Sequence, residues 1–122
     1  MEIGGSIFKS WILMTQTKHS ALIELFVTLI DKGLYFQAHE ALEEIWFPRR
    51  FEKAVPEIRL LKGLINQAVS FELFKRGREK QSEKVWNNSL KHIEAIKVLE
   101  SPFLGRYKEV IVYMKEKKVK LV

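Results

Sequence analysis

The chain has 122 residues, 47% of them hydrophobic and 30% charged, with no cysteine and a formal charge of +6. This composition fits a single soluble globular domain and excludes disordered, collagen-like and membrane-embedded classes. The missing cysteine removes disulfides, thiolate metal sites and thiol nucleophiles together. The charge is uneven: residues 1–74 carry 8 Lys/Arg against 9 Asp/Glu, and residues 75–122 carry 13 against 6.

The start, MEIGGSIFKSW, contains Gly4 and Gly5 and reads as a flexible or partly ordered segment over residues 1–16. Phe8 and Trp11 are its expected packing residues. The apolar run Ile7 to Met14 is broken by Lys9 and Ser10 and has no small-residue cleavage pattern after it. No signal peptide or membrane span is therefore expected, and the expected location is cytoplasmic.

A single helical domain is expected over residues 17–117. From Lys18 to Lys32, Leu22, Leu25, Phe26, Leu29 and Ile30 recur at helical spacing, with Thr17 as N-cap and Gly33 as the stop. A second helix, Leu34 to Phe47, is limited by Pro48, and its short connection to the first predicts two antiparallel neighbours. Pro56 opens a third, central helix that runs to Gly77.

A fourth helix, Glu79 to Leu99, places Val85, Trp86, Ser89, Leu90, Ile93 and Ile96 on one face, and Ser101–Pro102 forms a stop and restart. The fifth runs from Phe103 to Lys117 with Tyr107, Val110, Ile111 and Met114 in phase, leaving residues 118–122 as a basic, frayed end. No run alternates with period two. The fold class is all-α, a compact bundle of about five helices.

The second helix carries the informative chemistry. At 100° per residue, Tyr35, His39, Leu42 and Trp46 share one arc, so His39 points inward, and Glu43 lies one turn further along within reach of it. Glu40 and Glu44 face solvent. On the third helix Glu72 lies close to the apolar arc and Gln67 flanks it. Lys62 lies opposite with a stem long enough to cross a groove. Gly63 and Ala68 are small enough to admit another helix closely, which would bring His39 and Glu43 toward the third helix, although the favoured reading of Gly63 is a simple packing gap.

A binding site is therefore expected at Tyr35, His39, Glu43, Trp46, Arg49, Lys62, Gln67 and Glu72, with His39 and Glu43 as the candidate catalytic pair. Trp46 fits either a groove wall or the core. HEALEE lacks the second histidine of HExxH and reverses the Glu-x-x-His order of di-iron bundles, so no metal motif is satisfied and no cofactor is nominated.

The stretches AHEALEEIWF, Ala38 to Phe47, and LKGLINQAVSFELFKRG, Leu61 to Gly77, resemble the signature of the domain of unknown function 309 family, over roughly residues 24–100. The most specific elements are His39, Glu40, Glu43 and Trp46, then Gly63 to Ile65 and Ala68. The resemblance implies a small all-helical bundle without an established activity. The chain departs from the family pattern after Arg76-Gly77, where Arg78 and EKQSEKVWNN replace an Asn and a Gly-Ala step.

Three functions stay open. The leading expectation is a noncatalytic binding module for a protein partner or a second copy of the chain. The first alternative is an enzyme using His39 and Glu43 in acid-base or metal-dependent chemistry. The second is nucleic-acid binding through Lys75, Arg76, Arg78, Lys80, Lys84, Lys115, Lys117, Lys118 and Lys120.

Overall fold

The computed structural model describes the backbone of residues 3–121 and the side chains of residues 15–121. Five helices follow one another: α1 (Ile3–Asp31), α2 (Tyr35–Trp46), α3 (Pro56–Lys75), α4 (Glu79–Ile93) and α5 (Leu104–Leu121). Short 3₁₀ turns at Phe47–Arg49 and Glu94–Val98 extend α2 and α4. The described residues contain no strand, in agreement with the all-α expectation. No described helix is long and apolar enough to cross a membrane.

α1 starts earlier than its expected cap, because nothing between Gly5 and Gly33 stops it; Thr17 lies inside the helix rather than at its N-terminus. The packing expected of Phe8 and Trp11 falls outside the described side chains. α5 continues through the expected frayed end as far as Leu121.

The two glycine stops act as the sequence predicts. Gly33 and Gly77 adopt φ of 74° and 80°, a region that only glycine enters freely. In both turns the chain closes with paired amide bonds, Gly33 N to Ile30 O with Leu34 N to Leu29 O, and Gly77 N to Phe74 O with Arg78 N to Leu73 O. Lys75 Nζ also donates to the Gly33 carbonyl at 3.1 Å, tying the end of α3 to the α1–α2 turn.

α3 is the central helix, burying Ile58, Leu60, Leu61, Leu64, Ile65, Ala68 and Phe71 among α1, α2, α4 and α5. On α1 the buried stripe is Ile23, Phe26 and Ile30, at spacings of three and four, which leaves Leu25 exposed instead of in the core. Leu90 is also an outward residue, because α4 turns Trp86, Ser89 and Ile93 inward and Leu90 lies 100° beyond Ser89.

The interface between α3 and α4 is built from small residues. Ser82 Oγ donates to the Ser70 carbonyl at 2.6 Å, and Ser89 is fully buried. Gly63 faces α4 rather than α2: a Cβ there would lie 2.8 Å from Ile93 Cδ1 and 3.0 Å from His92 Cβ. The close approach read from Gly63 is therefore real, but it seats α4 and does not deliver His39 to α3.

Gln67 lies within this core at 0% exposure, and neither its Nε2 nor its Oε1 has a partner among the described residues. A buried amide without hydrogen bonds is destabilising relative to an apolar group of the same shape. Gln67→Met is expected to raise stability by about 1 kcal/mol in urea denaturation. Unchanged or lower stability would show that the amide is satisfied in solution.

Candidate functional site

Six of the eight residues expected to form one site divide among three hollows, with Glu43 and Gln67 lining none of them, and the cause is the length of α2. Tyr35 and Trp46 lie at opposite ends of this 12-residue helix, about 16 Å apart along its axis. They share a face but cannot share a pocket.

The first hollow, about 200 Å³, lies where the start of α2 meets the end of α3 and is lined by Tyr35, Phe36, His39, Val69, Glu72, Leu73 and Arg76. Tyr35 packs edge-on against Phe71, with ring centroids 5.4 Å apart. His39 is mostly covered, and both of its nitrogens face oxygens: Nδ1 meets the Phe36 carbonyl, and Nε2 lies 3.2 Å from Glu43 Oε1. Glu72 is held by Arg76 at 3.1 Å.

His39, Glu43 and Glu72 therefore do not converge. Among the described residues no group of three histidines, cysteines or acids is placed to hold one metal ion. His39 and Glu43 do meet across one helical turn as the spacing predicts, with Glu43 on the open side.

The second hollow, about 340 Å³, lies at the other end of α2 and is lined by Trp46, Arg50, Lys53, Ile58, Arg59, Lys62 and His92. Lys62 crosses to α2 as its long stem allows, with Nζ 4.4 Å from the centre of the Trp46 ring. Trp46 is half-buried, at once part of the core margin and a pocket wall.

Arg49 belongs to neither. Its Nε and Nη2 grip both oxygens of Glu52, at 3.0 and 3.1 Å, and Nη1 lies 3.9 Å from Glu57. It borders a third hollow with Thr15, Lys18, His19, Leu22, Glu44, Ile45 and Pro48. Gln67 lines none of the three.

Beside this third hollow is a polar cluster absent from the sequence-based site. Tyr107 Oη donates to Glu57 Oε2 at 3.0 Å, His19 Nε2 meets the Tyr107 oxygen at 2.7 Å, and Ser101 Oγ donates to the same Glu57 oxygen at 3.1 Å. The His19 ring stacks on Phe103 at 4.3 Å. With the phenol donating to the carboxylate, neutral His19 supplies its Nε2 proton to the phenol oxygen, so α1, α3 and α5 are joined by one chain of hydrogen bonds.

Burial holds the His19 pKa below its ordinary value; Glu57 pulls it upward and Arg49 pushes it further down. Burial raises the Tyr107 pKa, and the Glu57 charge and its hydrogen bond raise it further. Both groups are therefore neutral at pH 7, which suits a satisfied structural network. The signal for it was present in the sequence: His19 precedes Ile23, Phe26 and Ile30 by four, seven and eleven residues, in phase with the buried stripe.

The late basic residues are partly engaged within the chain. Arg76 pairs with Glu72, Lys117 with Asp31 and Lys118 with Glu83, and Lys75 is bound to the Gly33 carbonyl. The charge excess over residues 75–122 thus overstates what is free for a partner.

No curated protein and no solved structure matches the chain closely enough to stand as a relative. The family described as Domain of unknown function (DUF309) matches residues 23–85, which span α2, α3 and parts of α1 and α4, including His39, Trp46 and Gly63. That match takes in more than half of the sequence, and the chain belongs to this family.

Proposed function

We propose that this protein is a noncatalytic interaction module that seats an apolar side chain of a protein partner, a second copy of itself included, in the hollow between α2 and α3. The observation that carries the reading is the state of the polar groups around that hollow. His39 is occupied by the Phe36 carbonyl and Glu43, and Glu72 by Arg76, so the groups able to move protons are already paired. What is left open is an apolar surface, with the Phe36 ring half exposed at its lip.

A photo-crosslinking phenylalanine analogue at position 36 tests this in cells. The expected result is a discrete adduct, of doubled chain mass if the partner is a second copy, that does not form from the same analogue at exposed Val119. Identical adduct patterns from the two positions would overturn the reading.

A further inference from the structure

The hollow at the far end of α2 differs from the rest of the surface in its charge. Five cations elsewhere are neutralised locally, Arg49 by Glu52, Arg76 by Glu72, Arg106 by Glu24, Lys117 by Asp31 and Lys118 by Glu83, and cations such as Lys80 and Lys84 alternate with acids along their helix. Here Arg50, Lys53, Arg59 and Lys62 line a concave surface of about 340 Å³ that includes no carboxylate. None of the four makes an ion pair among the described residues. The acids nearest in sequence are engaged elsewhere, Glu52 by both arms of Arg49 and Glu57 by Ser101 and Tyr107.

His92 on the pocket wall reports the resulting field: burial lowers its pKa first, and Arg59, Lys62 and Lys91 lower it further. Its Nδ1 is buried without a partner among the described residues.

Aromatic rings accompany the charge. The Arg50 guanidinium lies 3.8 Å from the centre of the Phe47 ring and 4.4 Å from that of Phe51. Phe51 is 77% exposed and Phe47 53%. Two large rings held in water beside a cationic hollow have the composition of a stacking platform, because a base slides onto a ring face while its phosphate is met by the neighbouring cation.

We propose that the surface formed by Phe47, Arg50, Phe51, Lys53, Arg59 and Lys62 binds single-stranded nucleic acid, stacking bases on the phenylalanines and neutralising the backbone with the four cations. A strand fits better than a free nucleotide because four cations without a carboxylate partner among the described residues, Arg50 donating only to the Phe47 carbonyl at 2.7 Å, exceed what one phosphate group requires, and the exposed rings continue the platform beyond the hollow. It fits better than an anionic bilayer because a flat surface cannot fill the concavity in which Arg59 and Lys62 lie. This surface is separate from the late basic residues and from the hollow at His39.

The test is fluorescence anisotropy of the full chain with fluorescein-labelled oligothymidine and oligouridine of about twelve nucleotides, in about 50 mM salt. Binding is expected, with log K falling against log salt at a slope of about −3, as four phosphates on a single strand imply. Phe51→Ala should weaken it about 10-fold through lost stacking. The double variant Lys53→Glu, Arg59→Glu should reduce it below detection, while Lys80→Glu, Lys84→Glu should leave it within about 2-fold. Circular dichroism melting confirms that each variant is folded.

Four outcomes would overturn the proposal: no binding at low salt; loss in the Lys80, Lys84 pair but not in the Lys53, Arg59 pair; equal affinity for a mononucleotide; or capture by phosphatidylserine vesicles without oligonucleotide binding.

Discussion

Gly63→Val is expected to destabilise the protein by about 3 kcal/mol or more, lowering the thermal midpoint by about 10 °C or more. A Cβ at this position meets Ile93 Cδ1 at 2.8 Å and Ile93 Cγ1 at 3.2 Å, contacts that a rotamer change relieves in part. His92 Cβ at 3.0 Å is different, because it is fixed to the α4 backbone and yields only if α4 moves. Moving α4 outward strains the Ser82 bond to the Ser70 carbonyl and separates the Phe71 and Trp86 rings, now stacked at 5.7 Å.

Gly63→Ala isolates the steric term. Alanine gains about 1 kcal/mol of helix propensity over glycine, set against about 1–3 kcal/mol for overpacking, so a loss of about 1 kcal/mol is expected. Valine adds two methyl groups to the same space and gives up part of the propensity gain through its β-branch. Urea denaturation of both variants checks the order. A valine variant as stable as the parent would mean that α4 is not seated against α3 at this glycine.

The sequence made the bundle legible because its punctuation and its periodicity agree. Gly33 and Gly77 end helices, Pro56 begins one, and the buried stripes of α3 and α5 follow the expected spacing. Spacing within one helix also brought His39 to Glu43. It misleads where residues on a common face are read as residues of a common site, since helical phase fixes direction and says nothing of distance along the axis. Tyr35 and Trp46 open into different hollows for that reason.

The converse error hid the buried polar cluster. His19, Glu57, Ser101 and Tyr107 are separated by as many as 88 residues, and only the packing of α1, α3 and α5 brings them together. A local pattern reports that a histidine or tyrosine faces inward and so needs a partner. It does not report which partner. Glu57 stands in the first turn of α3, where an acid already suits the helix dipole, so its position alone gives no sign of a second role.

That cluster carries the other large effect. Tyr107→Phe is expected to cost about 1.5–3 kcal/mol at pH 7, the range for a hydrogen bond to a charged group. The phenylalanine fills the same space but leaves Glu57 without its phenol donor and His19 without its acceptor. Tyr113→Phe is the control: its hydroxyl bonds Asp31 at 3.1 Å on the open surface, where the loss should stay below about 1 kcal/mol.

The pH dependence adds a second readout. The His19 pKa is lower in the folded chain than the ordinary value of 6.5, so the unfolded state binds more protons in the window just below that value. Stability is then full above pH 6.5 and falls as the pH drops toward 5, with His92 contributing in the same direction. His19→Gln should flatten that loss in part and leave the His92 share. A parent protein whose stability is flat between pH 7 and 5 would mean that neither imidazole is held neutral by the fold, and a Tyr107→Phe cost no larger than that of Tyr113→Phe would mean that the three helices are not joined through this phenol.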